Sequence, residues 1–111
     1  MAKYESTLTG EFEKVVKHLE NDIGNSGISM KLVDESNYMM GTTKIAVLVY
    51  DKYFMRNGNR ASLSLTIVGD NGNIFISAIG GGGGSGVFLN FSLGAENEMV
   101  EIVQKSVEQM K

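Results

Sequence analysis

Residues 62–67 alternate strictly between polar and apolar side chains. The apolar members are Leu63, Leu65 and Ile67, and the polar members are Ser62, Ser64 and Thr66. Because successive side chains of a β-strand point to opposite faces, this pattern predicts a strand with one buried and one partly solvated face. A chain built around such a strand needs other elements to cover its apolar side.

Further extended segments surround this strand. Residues 45–55 form a longer β-branched and aromatic run, and the Asn-Gly pair at 57–58 predicts a hairpin between the two runs. A second turn, at residues 69–72, leads into residues 73–79. A two-residue loop at either Asp70-Asn71 or Asn71-Gly72 keeps Ile74 and Ile76 on the face of Leu65 and Ile67. Residues 28–33 and 3–8 are predicted as two additional strands.

Two amphipathic helices supply the cover. Apolar residues recur at helical spacing in the first at Phe12, Val15, Val16, Leu19 and Ile23, and in the second at Met99, Ile102, Val103, Val107 and Met110. Thr9 or Gly10 is expected to cap the first helix.

The expected element order is therefore β-α-β-β-β-β-(β)-α, where the bracketed strand is residues 87–91. This is an α+β fold, an antiparallel sheet of about five to six strands with the N-terminal-region and C-terminal helices packed on one face. At 111 residues the chain is expected to form a single domain over residues 1–111, with one hydrophobic core.

The composition excludes several classes of function. There are no cysteines, so disulfides, thiolate zinc sites and cysteine nucleophiles are ruled out, and a cytoplasmic location is expected. The net charge is −3 with both signs dispersed, so nucleic acid is not expected as a partner. No stretch is apolar enough to span a membrane. The single histidine, His18, is expected on a solvated helix face near Asp22, so neither a catalytic residue nor a metal or cofactor site is predicted.

A glycine-rich loop is predicted at residues 80–86. One interpretation is a flexible hairpin tip or connector. The other is a concave nest of backbone N–H groups around an anion. The candidate ligand-binding residues are Gly80, Gly82, Gly84, Ser85 and Gly86, with Arg56 and Arg60 as counter-charges. The run lacks the lysine and hydroxyl of a phosphate-binding loop, which favours the first interpretation.

Asp51 interrupts an apolar run near the predicted Asn57-Gly58 hairpin. It could help form a polar pocket, with Arg60 as the charged anchor and Tyr50 or Tyr53 as a wall. The alternative, which we favour, is a weak exposed ion pair between Asp51 and the arginines. Ser106 lies within the apolar stripe of the second helix, where a small residue could permit close backbone approach, although a hydrogen bond to the preceding turn is more common.

Several short motifs resemble a family of small bacterial proteins that is known only as a domain of unknown function. They are Met1-Ala2-Lys3-Tyr4 with Leu8-Thr9-Gly10, Gly58-Asn59-Arg60 followed by Ser62-Leu63, and Ser77-Ala78-Ile79 before the glycine run, together with the helical tail. The resemblance spans nearly the whole chain. It implies no activity and directs attention to Asn59 and Arg60.

The second face of the sheet suggests a partner. Val68, Phe75 and Ile79 share that face with serines and threonines, and a partly apolar uncovered sheet commonly packs against another copy of itself. The sequence thus predicts a small non-enzymatic binding or interaction module that forms a homodimer through its sheet. The alternative is an anion- or nucleotide-binding protein that uses the glycine-rich loop with Arg60 or Arg56.

Overall fold

The computed structural model describes residues 2–54, 59–82 and 90–111. In chain order the described elements are β1 (Ala2–Thr9), α1 (Phe12–Gly24), β2 (Lys31–Met40), β3 (Thr43–Phe54), β4 (Asn59–Asp70), β5 (Asn73–Gly82) and α2 (Asn90–Met110). The strands form one antiparallel sheet in the order β1-β5-β4-β3-β2. The predicted Asn57-Gly58 turn lies outside the described residues, but the two strands that it was expected to join, β3 and β4, are antiparallel neighbours. The predicted α+β architecture is confirmed.

The turn between β4 and β5 is the two-residue loop Asn71-Gly72. Both residues have positive φ, 52° and 82°, and Asp70 pairs with Asn73 across the loop. Positive φ at both central positions is the signature of a type I′ turn, whose twist suits a hairpin. Of the two loops that the sequence allowed, the structure adopts the second, and Ile74 and Ile76 share the face of Leu65 and Ile67 as expected.

The second strand differs most from its prediction. A strand was expected over residues 28–33, whereas β2 begins at Lys31 and continues to Met40. The strand contains a register shift between Leu32 and Asp34 and then pairs with β3 as far as the turn at Gly41. Nearly every residue of β2 is exposed, because it is an edge strand that the helices do not cover. Its sequence therefore lacks the apolar period that marks the central strands.

The hydrophobic core lies between the helices and one face of the sheet, which we call the inner face. Leu63, Leu65 and Ile67 are each 0% exposed. The helices contribute apolar residues at the predicted spacing. Of the predicted positions, Val15, Leu19, Ile23, Met99, Val103 and Val107 are buried, and Val100 is buried beside them. The α2 helix contacts β1, β5 and β4, and α1 lies beside α2 over β4. Both predicted helices are confirmed.

Two local predictions at helix ends need correction. The N-cap residue of α1 is Glu11, not Thr9 or Gly10, and its side chain makes no capping hydrogen bond. Gly10 instead donates its backbone N–H to the carbonyl oxygen of Gly72 at 3.0 Å, so it ties the start of α1 to the β4–β5 turn. At the other helix, Asn90 and Phe91 belong to α2 rather than to a strand. Residues 87–89 lie outside the described residues.

Gly80 lies where β5 and α2 approach each other closely. A Cβ atom added at Gly80 would lie 3.0 Å from the backbone oxygen of Glu96 and 3.1 Å from Val100 Cγ2. A helix backbone cannot move aside as a side-chain terminus can, so even a methyl group would push α2 away from the sheet. The adjacent Gly81 is different, because its nearest neighbour would be Ser62 Oγ at 3.8 Å, an ordinary contact.

Tyr50 extends the core toward the edge of the sheet. Its side chain is 5% exposed on the inner face of β3. Burial, followed by the negative charges of Glu20 and Glu35, raises the pKa of the Tyr50 phenol to about 12. Ionisation of this residue therefore opposes folding.

The Gly80→Ala substitution is expected to lower the free energy of unfolding by about 1–3 kcal/mol, the usual cost of overpacking a close contact. Urea denaturation measures this change. The matched control is Gly81→Ala, one residue away, which has room for its methyl group and replaces a strand glycine, so it should be neutral or slightly stabilising. Equal destabilisation by both substitutions would contradict the close contact at Gly80.

Stability should fall at alkaline pH because of Tyr50. Its pKa is about 12 in the folded chain and about 10 when unfolded. The folded state thus holds the proton more tightly, so this contribution is fully present below pH 10 and is lost as the pH rises from 10 to 12. Over that interval the wild type should lose on the order of 2–3 kcal/mol more than Tyr50→Phe, as measured by urea denaturation at each pH. Parallel curves for the two proteins would contradict the assignment.

Candidate functional site

The face of the sheet opposite to the helices, which we call the outer face, has no covering element among the described residues. The strand registers align its side chains into rows that cross the sheet. One row, which we call the apolar row, consists of Tyr38, Ile45, Val68 and Phe75, carried by β2, β3, β4 and β5 in turn. Its members are neighbours on adjacent strands, so they form a continuous apolar band about four strands wide.

Solvent reaches this band. Tyr38 is 60% exposed and Phe75 is 39% exposed, whereas Ile45 and Val68 are partly buried between them. The remaining rows mix partly buried valines with serines and threonines. The predicted mixed face is therefore confirmed, and the structure adds Tyr38, Ile45, Val47 and Val49 to it.

Arg60 lies at one end of the outer face. Its guanidinium Nη2 donates a hydrogen bond to Asp51 Oδ2 on the neighbouring strand. The Arg60 side chain is 63% exposed, so the two residues form the exposed ion pair that the sequence favoured over a polar pocket. Tyr53 is the cross-strand neighbour of Arg60, and Tyr50 is buried on the other face of the sheet. Of the two predicted wall residues, Tyr53 therefore lies beside the anchor Arg60, and Tyr50 does not.

The structure places the first glycines of the run within β5. Gly80, Gly81 and Gly82 pair with Leu63, Ser62 and Ala61 of β4. Gly80 faces α2 on the inner face, whereas Arg60 projects from the outer face, so these two candidate binding residues are on opposite sides of the sheet. The candidates Gly84, Ser85, Gly86 and Arg56 lie outside the described residues.

A groove separates α1 from the β2–β3 edge of the sheet. Its volume is about 580 Å³, and it is lined by Phe12, Glu13, Val16, Lys17, Glu20, Asn37, Tyr38, Met39, Lys44 and Ile45. Lys44 Nζ donates to Glu13 Oε2 at 2.6 Å across the groove, and this hydrogen bond holds the pKa of Glu13 below its usual value. The charges in the groove are two lysines and two glutamates, so they favour neither anions nor cations.

The described residues contain little reactive chemistry. His18 Nε2 lies 3.1 Å from Asp22 Oδ2, one turn further along α1, where both side chains are partly exposed. No group of three potential metal ligands occurs in the part of the chain that the structure describes. Ser106 is 2% exposed, and its hydroxyl has no hydrogen-bond partner among the described residues, so the expected bond to the preceding turn is not formed. Neither described helix is both long and apolar enough to cross a membrane.

Sequence reasoning missed the contribution of β2 to both surfaces. Tyr38 continues the apolar row, and Met39, which is 62% exposed, lines the groove on the opposite side of the strand. The only available signal was the alternation of odd-numbered and even-numbered residues between the two faces of the strand. Once Tyr38 is paired with Ile45, the alternation assigns each residue from Asp34 to Met40 to one face.

Comparison with known proteins identifies the family and no activity. A family model described as "Family of unknown function (DUF6054)" matches residues 1–111. A search of the curated proteins finds no match. Among solved structures, the crystal structure of TTHA0849 from Thermus thermophilus is similar at 14% sequence identity and a TM-score of 0.37, over 97% of this chain and 94% of that chain. This degree of superposition does not establish a shared fold. The match along the whole chain shows that it belongs to the family of unknown function DUF6054.

Proposed function

We propose that the chain is a non-enzymatic interaction module that forms a homodimer through the outer face of its sheet. The observation that carries this proposal is the apolar row, which stays open to solvent while both helices cover the other face. Contiguous apolar surface of this kind marks interaction sites on soluble proteins. A cytoplasmic location is part of the proposal, and the absence of cysteine is compatible with it.

The outer face is large enough for a specific interface. Five strands spaced at ~4.8 Å span about 19 Å, and five rows of side chains along them span about 27 Å. The projected area is therefore roughly 500 Å² per copy, or about 1,000 Å² for two copies, which reaches the lower limit of a specific interface. Because side chains project from the sheet, the accessible surface that they bury exceeds this projected area.

A second copy suits this face because its charged residues lie on the edge strands or, as Asp51 and Arg60 do, toward the ends of the central strands. Two sheets that pack face to face lie about 10 Å apart and interleave the side chains of their inner layers. Three members of the apolar row, Ile45, Val68 and Phe75, are β-branched or aromatic residues of the size that fills such a layer at its centre. Packing of the same surface on both sides also gives a closed two-fold dimer.

The anion-binding alternative gains no support from the described residues. Arg60 already has a carboxylate partner in Asp51, and an incoming anion would have to displace it. Gly80 faces α2 instead of a space that a phosphate could enter. The proposal of a non-enzymatic role draws on the scarcity of reactive side chains in the described residues, where His18 lies beside Asp22 on a partly exposed turn of α1.

The wild-type protein is expected to sediment at twice the 12.0 kDa chain mass at micromolar to millimolar concentration. Phe75→Glu places a charge in the middle of the buried layer and should raise the dimer dissociation constant at least ~100-fold, since an unpaired buried charge costs several kcal/mol. Sedimentation velocity over a concentration series measures both the mass of the wild-type species and the dimer dissociation constant of each protein.

The matched control is Gln104→Glu, which adds the same charge at an exposed position of α2, away from the outer face. This variant should dimerise like the wild type. A wild-type chain that stays monomeric at millimolar concentration would remove the proposal, and so would a Phe75→Glu variant that dimerises unchanged while remaining folded by circular dichroism.

A further inference from the structure

We infer that the second copy is related to the first by a two-fold axis that runs parallel to β4, so that Asp34 of each copy meets Lys3 of the other. This inference rests on the proposed homodimer and specifies its geometry. It follows from the positions of charged and apolar side chains in the rows of the outer face.

Two rows carry the argument. The first is the apolar row. The second, which we call the charged row, lies four residues further along the strands and consists of Asp34, Val49, Ser64, Ile79 and Lys3, from β2 to β1. Asp34 and Lys3 occupy the two edge strands, so about four strand spacings, or ~19 Å, separate them within one chain. They cannot pair with each other in the monomer.

Rotation by 180° about an axis along β4 exchanges the two halves of the sheet. Each row keeps its position along the strand direction, so it faces the same row of the second copy. β2 then faces β1 of the second copy, β3 faces β5, and β4 faces itself. In the charged row Asp34 therefore faces Lys3 of the second copy, and the same contact recurs at the other edge. Val49 faces Ile79 of the second copy in this row.

The apolar row is matched by the same rotation. Ile45 faces Phe75 of the second copy, and Val68 faces its own counterpart on the axis. Apolar side chains thus meet apolar side chains at the centre, and opposite charges meet at both edges. This is the arrangement expected of a specific interface, with an apolar core and a polar rim.

The competing in-plane axis, perpendicular to the strands, lacks the match of charges. If it passes between the two rows, it places the apolar row over the charged row. Ile45 would then face Val49 and Phe75 would face Ile79, so apolar contacts would remain, but Lys3 would face Thr7 of the second copy, and neither edge would gain an ion pair. Charge complementarity therefore favours the axis along β4.

The other outer-face charges are compatible with this geometry. Ser77 Oγ donates to Glu5 Oε2 at 3.1 Å, so Glu5 has a local partner. Lys3 Nζ lies 4.0 Å from Glu5 Oε1, and both side chains are exposed, so Lys3 would exchange only a weak ion pair for the contact with Asp34 of the second copy. Glu5 would face Ser36 of the second copy, which can donate a hydrogen bond to it. Arg60 lies near the axis, but Asp51 neutralises its charge within each chain.

Mixing of charge-reversed variants tests the axis directly. The Asp34→Lys homodimer would contain two Lys–Lys contacts, and the Lys3→Glu homodimer two Asp–Glu contacts, so both should be weakened. In the mixed dimer every such contact joins opposite charges. With one variant ¹⁵N-labelled, native mass spectrometry of an equimolar mixture should show more than about 80% mixed dimer instead of the statistical half, even for weak exposed pairs.

The matched control uses an ion pair within one chain, Glu11–Lys14 on α1, where the two side chains are 3.6 Å apart. A mixture of Glu11→Lys with Lys14→Glu should contain the statistical half of mixed dimer. For the Asp34→Lys and Lys3→Glu mixture, a statistical distribution or a persistently monomeric sample would overturn the axis. If the wild type dimerises and Phe75→Glu dissociates the dimer, either of these two results would contradict the proposed axis but not the homodimer. A monomeric wild type would contradict the proposed function itself.

Discussion

The alternation of side chains along paired strands is the constraint on which the whole structure depends. The continuous registers of β3, β4 and β5 assign each residue of these strands to one of two faces, and a shift by one residue would exchange the faces. Leu65 can lie in the core only if Thr66 lies on the other side. The pairing that builds the core therefore also determines which residues lie on the outer face. On that face, apolar residues lie among serines and threonines.

Most of the fold was predictable because its signals are local. The helical stripes and the alternation at Leu63, Leu65 and Ile67 each lie within a dozen residues, and the hairpin order followed from turn residues. The extent of β2 was not predictable in this way, because its residues are ordered by pairing with β3 and not by burial. The sequence suggested that Val68 and Phe75 share the outer face, but the row that continues from them to Tyr38 could be found only from the strand registers.

The glycine run shows that the same sequence pattern can serve different structural roles. Read as a loop, Gly80 suggested flexibility or anion binding. The structure shows that its missing side chain allows the backbone of α2 at Glu96 to approach β5. Sequence alone could not reveal this role, because the residue that Gly80 accommodates is sixteen positions away and belongs to another layer. Gly69 leaves room for a side chain instead, since an added Cβ would lie 2.7 Å from Phe12 Cδ1.

The edges of the sheet bear on the way in which two copies can meet. The β2 edge carries Lys31, Asp34 and Glu35 near a register shift, and β1 carries Lys3 and Glu5. Charges and bulges on edge strands discourage the addition of another strand. The outer face has no such protection at its centre, where Ile45, Val68 and Phe75 are adjacent. The proposed dimer is therefore expected to form through faces and not through edges, and in that proposal the edge charges select the orientation of the second copy.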